Sequence, residues 1–379
     1  MKKYLITLSL LITGCYGEEV VEIPEDIAAM QNVAVYSGNA DPVYSITLEK
    51  TALFGDTDDL FLRSIGGITV SDRGDLYLAD SQEGSVHVYD EFGTHTFSIG
   101  RKGEGPGEFT RADRPQLFNG ELYVLDVQQQ RVSVFDPNNG QFLRTISMGG
   151  GSQDISGFPV NFEAISENRF LAFYNSMQQD GERFLRKEVL RMLDEDGEEL
   201  ASDFIEFEAG EMFMIRGENS IQIMSLPFMR DTHSEINSDE QIVWGYSDRI
   251  FLQFVSLDGE YIRSVYHSRE NPPLDRAAML SRYEDSAVRE SIRSLDIPDT
   301  RPAFQYFRID DENRIWISLN TEDEDENEIW VLGPDGEKLA QFTRPSVNRL
   351  LLVKDSYAYF HEENEDGLQE VVKYRVEIN

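Results

Sequence analysis

Arg101, Lys102, Arg111 and Arg114 fall within one 14-residue stretch of a chain whose formal charge is -36 at pH 7. Clustered guanidinium and ammonium groups recognise carboxylate and phosphate. The same stretch holds Gly103-Glu104-Gly105-Pro106-Gly107, a glycine spacing that invites comparison with a phosphate cradle. A phosphate loop follows a strand, opens a helix and ends in Lys-Ser or Lys-Thr. Proline and an acidic residue follow here, so the glycines read as a tight backbone crossing. The four cations are the candidate ligand-binding residues, for an anionic ligand or partner.

Asp80 and Asp126 each close a short apolar run and precede a polar loop. Two matched carboxylates could form a binding ring. The simpler expectation is that each caps its loop by accepting backbone N–H bonds. The acidic runs at 194–199 (DEDGEE) and 321–328 (TEDEDENE) offer oxygen ligands of the kind calcium takes. Neither has the spaced Asp/Asn, Gly and terminal Glu of a calcium loop, so solvated hairpin loops are expected, with calcium as a possible ligand. His87, His95, His233, His267 and His361 are scattered, with no close pair for zinc. There is no Gly-x-Ser-x-Gly elbow, and the single cysteine leaves no free thiol for covalent catalysis once lipidated. No metal site and no catalytic residue is assigned.

The elements that position these residues come in repeats. Residues 75–93 (DLYLADSQEGSVHVYDEFG) return 46 residues later as 121–140 (ELYVLDVQQQRVSVFDPNNG). Each copy is a strand ending in Asp, a polar loop, an alternating strand and a Gly-bearing turn. Self-similarity at roughly 40–50 residues, all of it strand, is the mark of a β-propeller. Six blades are expected over residues 43–379. Blade 1 spans strands near 67–71, 75–79, 85–89 and 94–99. Blade 2 spans 115–118, 121–125, 131–135 and 141–146. Blade 3 takes 161–165, 169–174, 187–193 and 201–207, and blade 4 takes 241–245, 250–256 and 261–266. Blade 5 takes 304–309, 314–319, 328–332 and 338–342, and blade 6 takes 349–353, 357–361 and 370–376. Blade 6 lacks an outer strand, and residues 43–48 have no blade of their own. Pairing the two closes the ring and hides its edges. Residues 274–295 have helical periodicity and form an insertion between blades 4 and 5. Residues 24–31 form a short helix with Pro24 in its first turn. On the inner strands Tyr306, Arg308, Asp310 and Arg349 lie near the axis.

The N-terminus has its own chemistry. Lys2-Lys3 precede a short apolar run that ends in Leu11-Ile12-Thr13-Gly14-Cys15. A basic start and a short apolar core make a secretory signal rather than a span. The run resembles the bacterial lipoprotein signal, which implies residues 1–14 as signal peptide, lipidation of Cys15 and a linker over 15–42. Tyr16 in place of Asp implies the outer membrane. Gly17-Glu18-Glu19 is similar to the acidic tag that displays some Bacteroidetes lipoproteins on the cell surface.

The twin repeats, with Gly100-Arg101-Lys102-Gly103-Glu104-Gly105-Pro106-Gly107-Glu108-Phe109 between them, resemble the six-bladed β-propeller lipoproteins of Bacteroidetes and related bacteria. Those are similar to NHL-repeat propellers. The resemblance implies the fold, and the leading reading of the whole chain is a membrane-anchored, monomeric, non-enzymatic module that binds a protein or small anionic ligand through its loop-rich face. The alternative it carries is a metal-dependent hydrolase or lyase of the lactonase or NHL-lyase kind, working in the central channel. Composition narrows the partners. Only 8 of the 34 basic residues are Lys, and a strongly acidic, Lys-poor surface fits a saline habitat. Nucleic acid is not expected, because phosphate backbones need extended basic surfaces. Hydrophobic residues at 40% and aromatics at 11% exclude disorder.

Overall fold

The structure is a computed structural model and describes residues 21–57, 60–149, 157–166, 168–200 and 205–379. The signal peptide and Cys15 lie outside the described residues. A one-turn helix α1 (Glu25–Ala28) leads to β1 (Val33–Ser37) and β2 (Ile46–Phe54). Blade 1 is then β3 (Ile65–Val70), β4 (Leu76–Asp80), β5 (Ser85–Tyr89) and β6 (His95–Ile99). Blade 2 is β7 (Asp113–Phe118), β8 (Glu121–Asp126), β9 (Arg131–Phe135) and β10 (Phe142–Ser147). Blade 3 has five strands: β11 (Phe158–Ser166), β12 (Arg169–Asp180), β13 (Arg183–Leu193), β14 (Ile205–Arg216) and β15 (Ile221–Met224). Blade 4 is β16 (Thr232–Ile236), β17 (Gln241–Tyr246), β18 (Ile250–Ser256) and β19 (Tyr261–Ser268). Two helices follow, α2 (Arg276–Ser281) and α3 (Ser286–Arg293). Blade 5 is β20 (Phe304–Ile309), β21 (Ile315–Asn320), β22 (Glu326–Leu332) and β23 (Lys338–Pro345). Blade 6 is β24 (Arg349–Lys354), β25 (Tyr357–Glu363) and β26 (Gln369–Ile378), completed by β2.

The closure is antiparallel, with Ile46 opposite Ile378 and Phe54 opposite Val371. It is the expected pairing, carried six residues further along the chain. Two expectations need correction. The linker is shorter than 15–42, because β1 adds in parallel to the outer edge of blade 4, Val33 opposite Ser264. The inner strand of blade 4 is β16 (sequence THSEI), not residues 241–245, which form the second strand. A short, half-polar strand carries no apolar signal, and the polar side chains it brings face the axis. The single inserted helix is in fact two short ones. Asp275 caps α2 and Asp285 caps α3, each side chain accepting two backbone N–H bonds.

The core lies between blades. β4 and β5 are buried on both faces because each blade is sandwiched by its neighbours. Each blade-to-blade interface has its own apolar cluster, such as Val86, Phe109, Leu122 and Phe135 between blades 1 and 2. The turn glycines set the spacing. Gly93 has φ +95°, and a Cβ there would sit 2.0 Å from the carbonyl oxygen of Leu53 on the outer strand of blade 6. Gly197 has φ +85° and meets Ser147 of blade 2 in the same way. Only glycine permits both the backbone angle and the approach.

Two features rise on one face, where strands two and three of each blade join and where one blade passes to the next. The long β12–β13 hairpin extends blade 3, with β14–β15 alongside it. The α2–α3 insertion packs on that extension through Phe213, Ile215, Met279 and Ile292. No helix among the described residues is long and apolar enough to cross a membrane.

Candidate functional site

The basic connection is mostly neutralised within itself. Arg101 donates to Glu108 Oε1 from Nε at 2.9 Å and from Nη2 at 2.6 Å. Lys102 Nζ donates to the carbonyls of Gln82 (3.1 Å) and Thr110 (2.6 Å). Arg111 Nε pairs with Asp113 at 2.5 Å. Lys102 and Arg111 still line one open polar cleft of about 380 Å³, joined there by Arg63, Ser81, Thr110 and Gln128. Arg63 is itself paired with Glu83 at 3.1 Å. The glycine loop is occupied from inside as well. Glu108 Oε2 accepts from Gly105 N, and Arg131 Nη2 donates to the carbonyls of Gly105 and Glu108. Arg114 separates from the other three and stands at the axis.

The paired aspartates are loop caps. Asp80 Oδ1 accepts from the amides of Gln82 and Glu83, and Oδ2 accepts from Arg63 N at 2.7 Å. Asp126 repeats this with Gln128, Gln129 and Thr110. Each carboxylate therefore ties its own loop to the strand-to-strand crossing that enters the same blade. Asn320 occupies the corresponding place in blade 5, its amide donating to Pro302 O at 2.8 Å. Asp194 likewise caps the 194–199 turn, accepting from the amides of Asp196 and Glu198. Among the described residues no group of three or more His, Cys, Asp or Glu could hold a metal ion.

The axis is where polar chemistry gathers. Five of the six inner strands carry a β-bulge, which twists them at their crowded inner edge. From the inner strands come Arg114 (β7), Glu163 (β11), His233 and Glu235 (β16, the one without a bulge), Tyr306 and Arg308 (β20) and Arg349 (β24). Arg308 Nη1 donates to Glu235 Oε1 at 2.5 Å, and its Nε donates to Leu351 O at 3.1 Å. Gln116 Nε2 donates to Glu163 Oε2 at 2.8 Å. Tyr306 OH accepts from Leu350 N at 2.8 Å, which fixes its ring. The guanidinium carbons of Arg308 and Arg349 lie 5.6 Å and 5.4 Å from that ring's centre.

Burial pushes Glu163 up to about 7, with Glu235 adding repulsion while Arg114 and Arg308 oppose the shift. Burial holds His233 down at about 4 despite Asp231, and the nearby arginines lower it further. Arg349 is open to water along the channel, yet its flanks are enclosed enough that burial, then the charges of Arg308 and Arg114, lower its pKa. Tyr306, Arg308 and Arg349, which the sequence placed near the axis without showing that they meet, lie together around the Tyr306 ring. Asp310 does not; it is buried and accepts from Arg314 Nε and Trp316 Nε1 at the foot of blade 5. Glu163, His233 and Glu235 were missed, because nothing in a lone polar residue marks it as axial until every inner strand is placed. His87 is structural, held between Ser85 and Ser98.

Blade count, closure and a polar axis define the class: a six-bladed β-propeller. The chain belongs to the DUF5128 family, described as a 6-bladed beta-propeller, whose profile matches residues 35–226. No curated protein matches it. Among solved structures, it is similar to a Bacteroides fragilis protein described as exported, at 13% identity and TM-score 0.51, covering 91% of this chain and 99% of that one. A Bacteroides vulgatus member of the DUF4221 family aligns at 11% identity and TM-score 0.49, covering 88% and 99%. Virginiamycin B lyase from Staphylococcus aureus aligns at 13% and 0.45, covering 87% and 99%. At these identities the likeness concerns the fold.

Proposed function

We propose that this protein is a recognition module of the bacterial envelope, anchored by a lipid on Cys15, that engages a protein partner on its loop-rich face. The observation that carries this reading is where the chain departs from the plain four-stranded blade. Both departures, the blade 3 extension and α2–α3, rise on the same face. The extension leaves Met177, Leu185, Ile221 and Ile223 exposed, Ile221 to 62%. Ile221 and Ile223 share one side of the edge strand β15. Apolar side chains grouped on an exposed edge mark a contact surface.

The test is affinity capture from native envelopes with the wild type, an Ile221→Asp/Ile223→Asp variant and a Cys15→Ser variant. The double variant is expected to stay in the membrane fraction and lose a partner that the wild type retains. Cys15→Ser is expected to move the protein to the soluble fraction. Equal capture by the wild type and the double variant overturns the docking reading. Membrane retention of Cys15→Ser overturns the anchor.

A further inference from the structure

We infer that the outer edge of blade 1 carries a site for a divalent transition metal of the copper(II) type, formed by His87, His95 and Ser98. The first observation is convergence. His87 Nδ1 and His95 Nε2 lie 2.9 Å and 3.1 Å from one oxygen, Ser98 Oγ. The two rings are 5.7 Å apart between centres and inclined at 67°. Neighbouring ligands at right angles on one metal, with bonds of about 2.1 Å, stand about 3 Å apart. Both nitrogens already hold that spacing from the hydroxyl, so small side-chain turns admit a metal. Near-right-angle ligation by nitrogen and oxygen suits Cu(II), which binds such donors more tightly than the other divalent first-row metals. No third His, Cys, Asp or Glu joins the pair among the described residues, so water completes the shell.

The second observation is that the backbone builds this convergence. His87 on β5 stands opposite Ser98 on β6, and a bulge between Val88 and Tyr89 sets His95 opposite Tyr89. In an unbroken ladder Thr96 would take that place and His95 would point to the other face. The bulge therefore turns His95 onto the face of His87. Tyr89 backs the His95 ring edge-on, at 5.4 Å between centres. The third observation is the state and access of the ligands. Ser85 Oγ lies 3.3 Å from His87 Nε2. With Nε2 donating there, the Nδ1 lone pair faces Ser98, and an outer partner of this kind orients a metal-binding imidazole. Burial holds His87 down at about 4, against Asp80 and with His95 lowering it further, so the ring is neutral and able to ligate at neutral pH. His87 is buried, but Ser98 is exposed and leads from its Nδ1 to solvent. A pair on two neighbouring strands, aligned only by a bulge, has no metal-binding spacing in the sequence.

The experiment is titration of the full chain, prepared without a histidine tag, with copper(II) chloride, followed by electron paramagnetic resonance. Excess magnesium chloride occupies the surface carboxylates. One tight equivalent is expected, with superhyperfine structure from two nitrogens. His95→Gln is expected to weaken it at least tenfold and to remove one nitrogen from the spectrum. His87→Gln is expected to do the same; if that buried change unfolds the chain, His95→Gln, at a partly exposed position, carries the test. A spectrum of oxygen ligation alone overturns the inference, as does an affinity that His95→Gln leaves unchanged. The Ile221→Asp/Ile223→Asp variant is expected to bind copper as the wild type does, which separates this site from the partner surface.

Discussion

At the residue scale, the acidity of this chain divides into carboxylates that hold backbone and carboxylates that only carry charge. Asp126 belongs to the first group. It is fully buried and accepts from the amides of Thr110, Arg111, Gln128 and Gln129. Asp126→Ala orphans those donors and is expected to cost on the order of 2–4 kcal/mol, read from the midpoint of chemical denaturation. Asp126→Asn keeps one acceptor oxygen and should cost clearly less. An alanine variant as stable as the wild type would mean the loop does not depend on this cap. The capping role was legible from the repeat, since matched residues at a repeat position serve the repeat. The fate of the four clustered cations was not. Arg101 and Arg111 meet Glu108 and Asp113 within the same connection, while Arg114, a few residues on, is turned away by its left-handed backbone.

At the element scale, the ring depends on a strand from the opposite end of the chain. β2 covers the edge of β26 from Val371 to Ile378, burying Phe54 against Tyr89 and Tyr359. A chain beginning after Phe54 loses β1 together with β2, and exposes β26 as a long free edge and β19 as a shorter one. It is expected to elute as oligomers in size-exclusion chromatography, because unpaired edges recruit further strands. A monodisperse monomer would show that closure is dispensable. This pairing could be read from the sequence because one blade lacked a strand and one strand lacked a blade. The strap formed by β1 could not. Its parallel contact with β19 follows from Tyr36 stacking on His267 at 5.0 Å, a pairing between residues 231 apart in the chain.

At the scale of the whole molecule, two electrostatic effects compete. Ion pairs such as Arg144–Glu121 and Arg344–Glu362 are weakened by salt. So is the self-repulsion of a chain at -36. Partly exposed pairs contribute about 0–1 kcal/mol each, whereas repulsion acts over the entire surface. Repulsion should therefore dominate. The melting temperature is expected to rise between 0.05 and 1 M NaCl, on the order of 5 °C. A fall would show that the ion pairs outweigh the net charge.

The sequence by itself determined the blade: its strand order, its capping aspartate, its turn glycine, and the need for a strand to complete blade 6. These are local matters of hydrogen bonding and backbone angle, repeated along the chain. Only the tertiary structure decided which polar side chains share the axis. Arg114, Glu163, Glu235, Arg308 and Arg349 come from five different blades, and no local pattern links them. Closing the ring is what brings their charges within reach of one another.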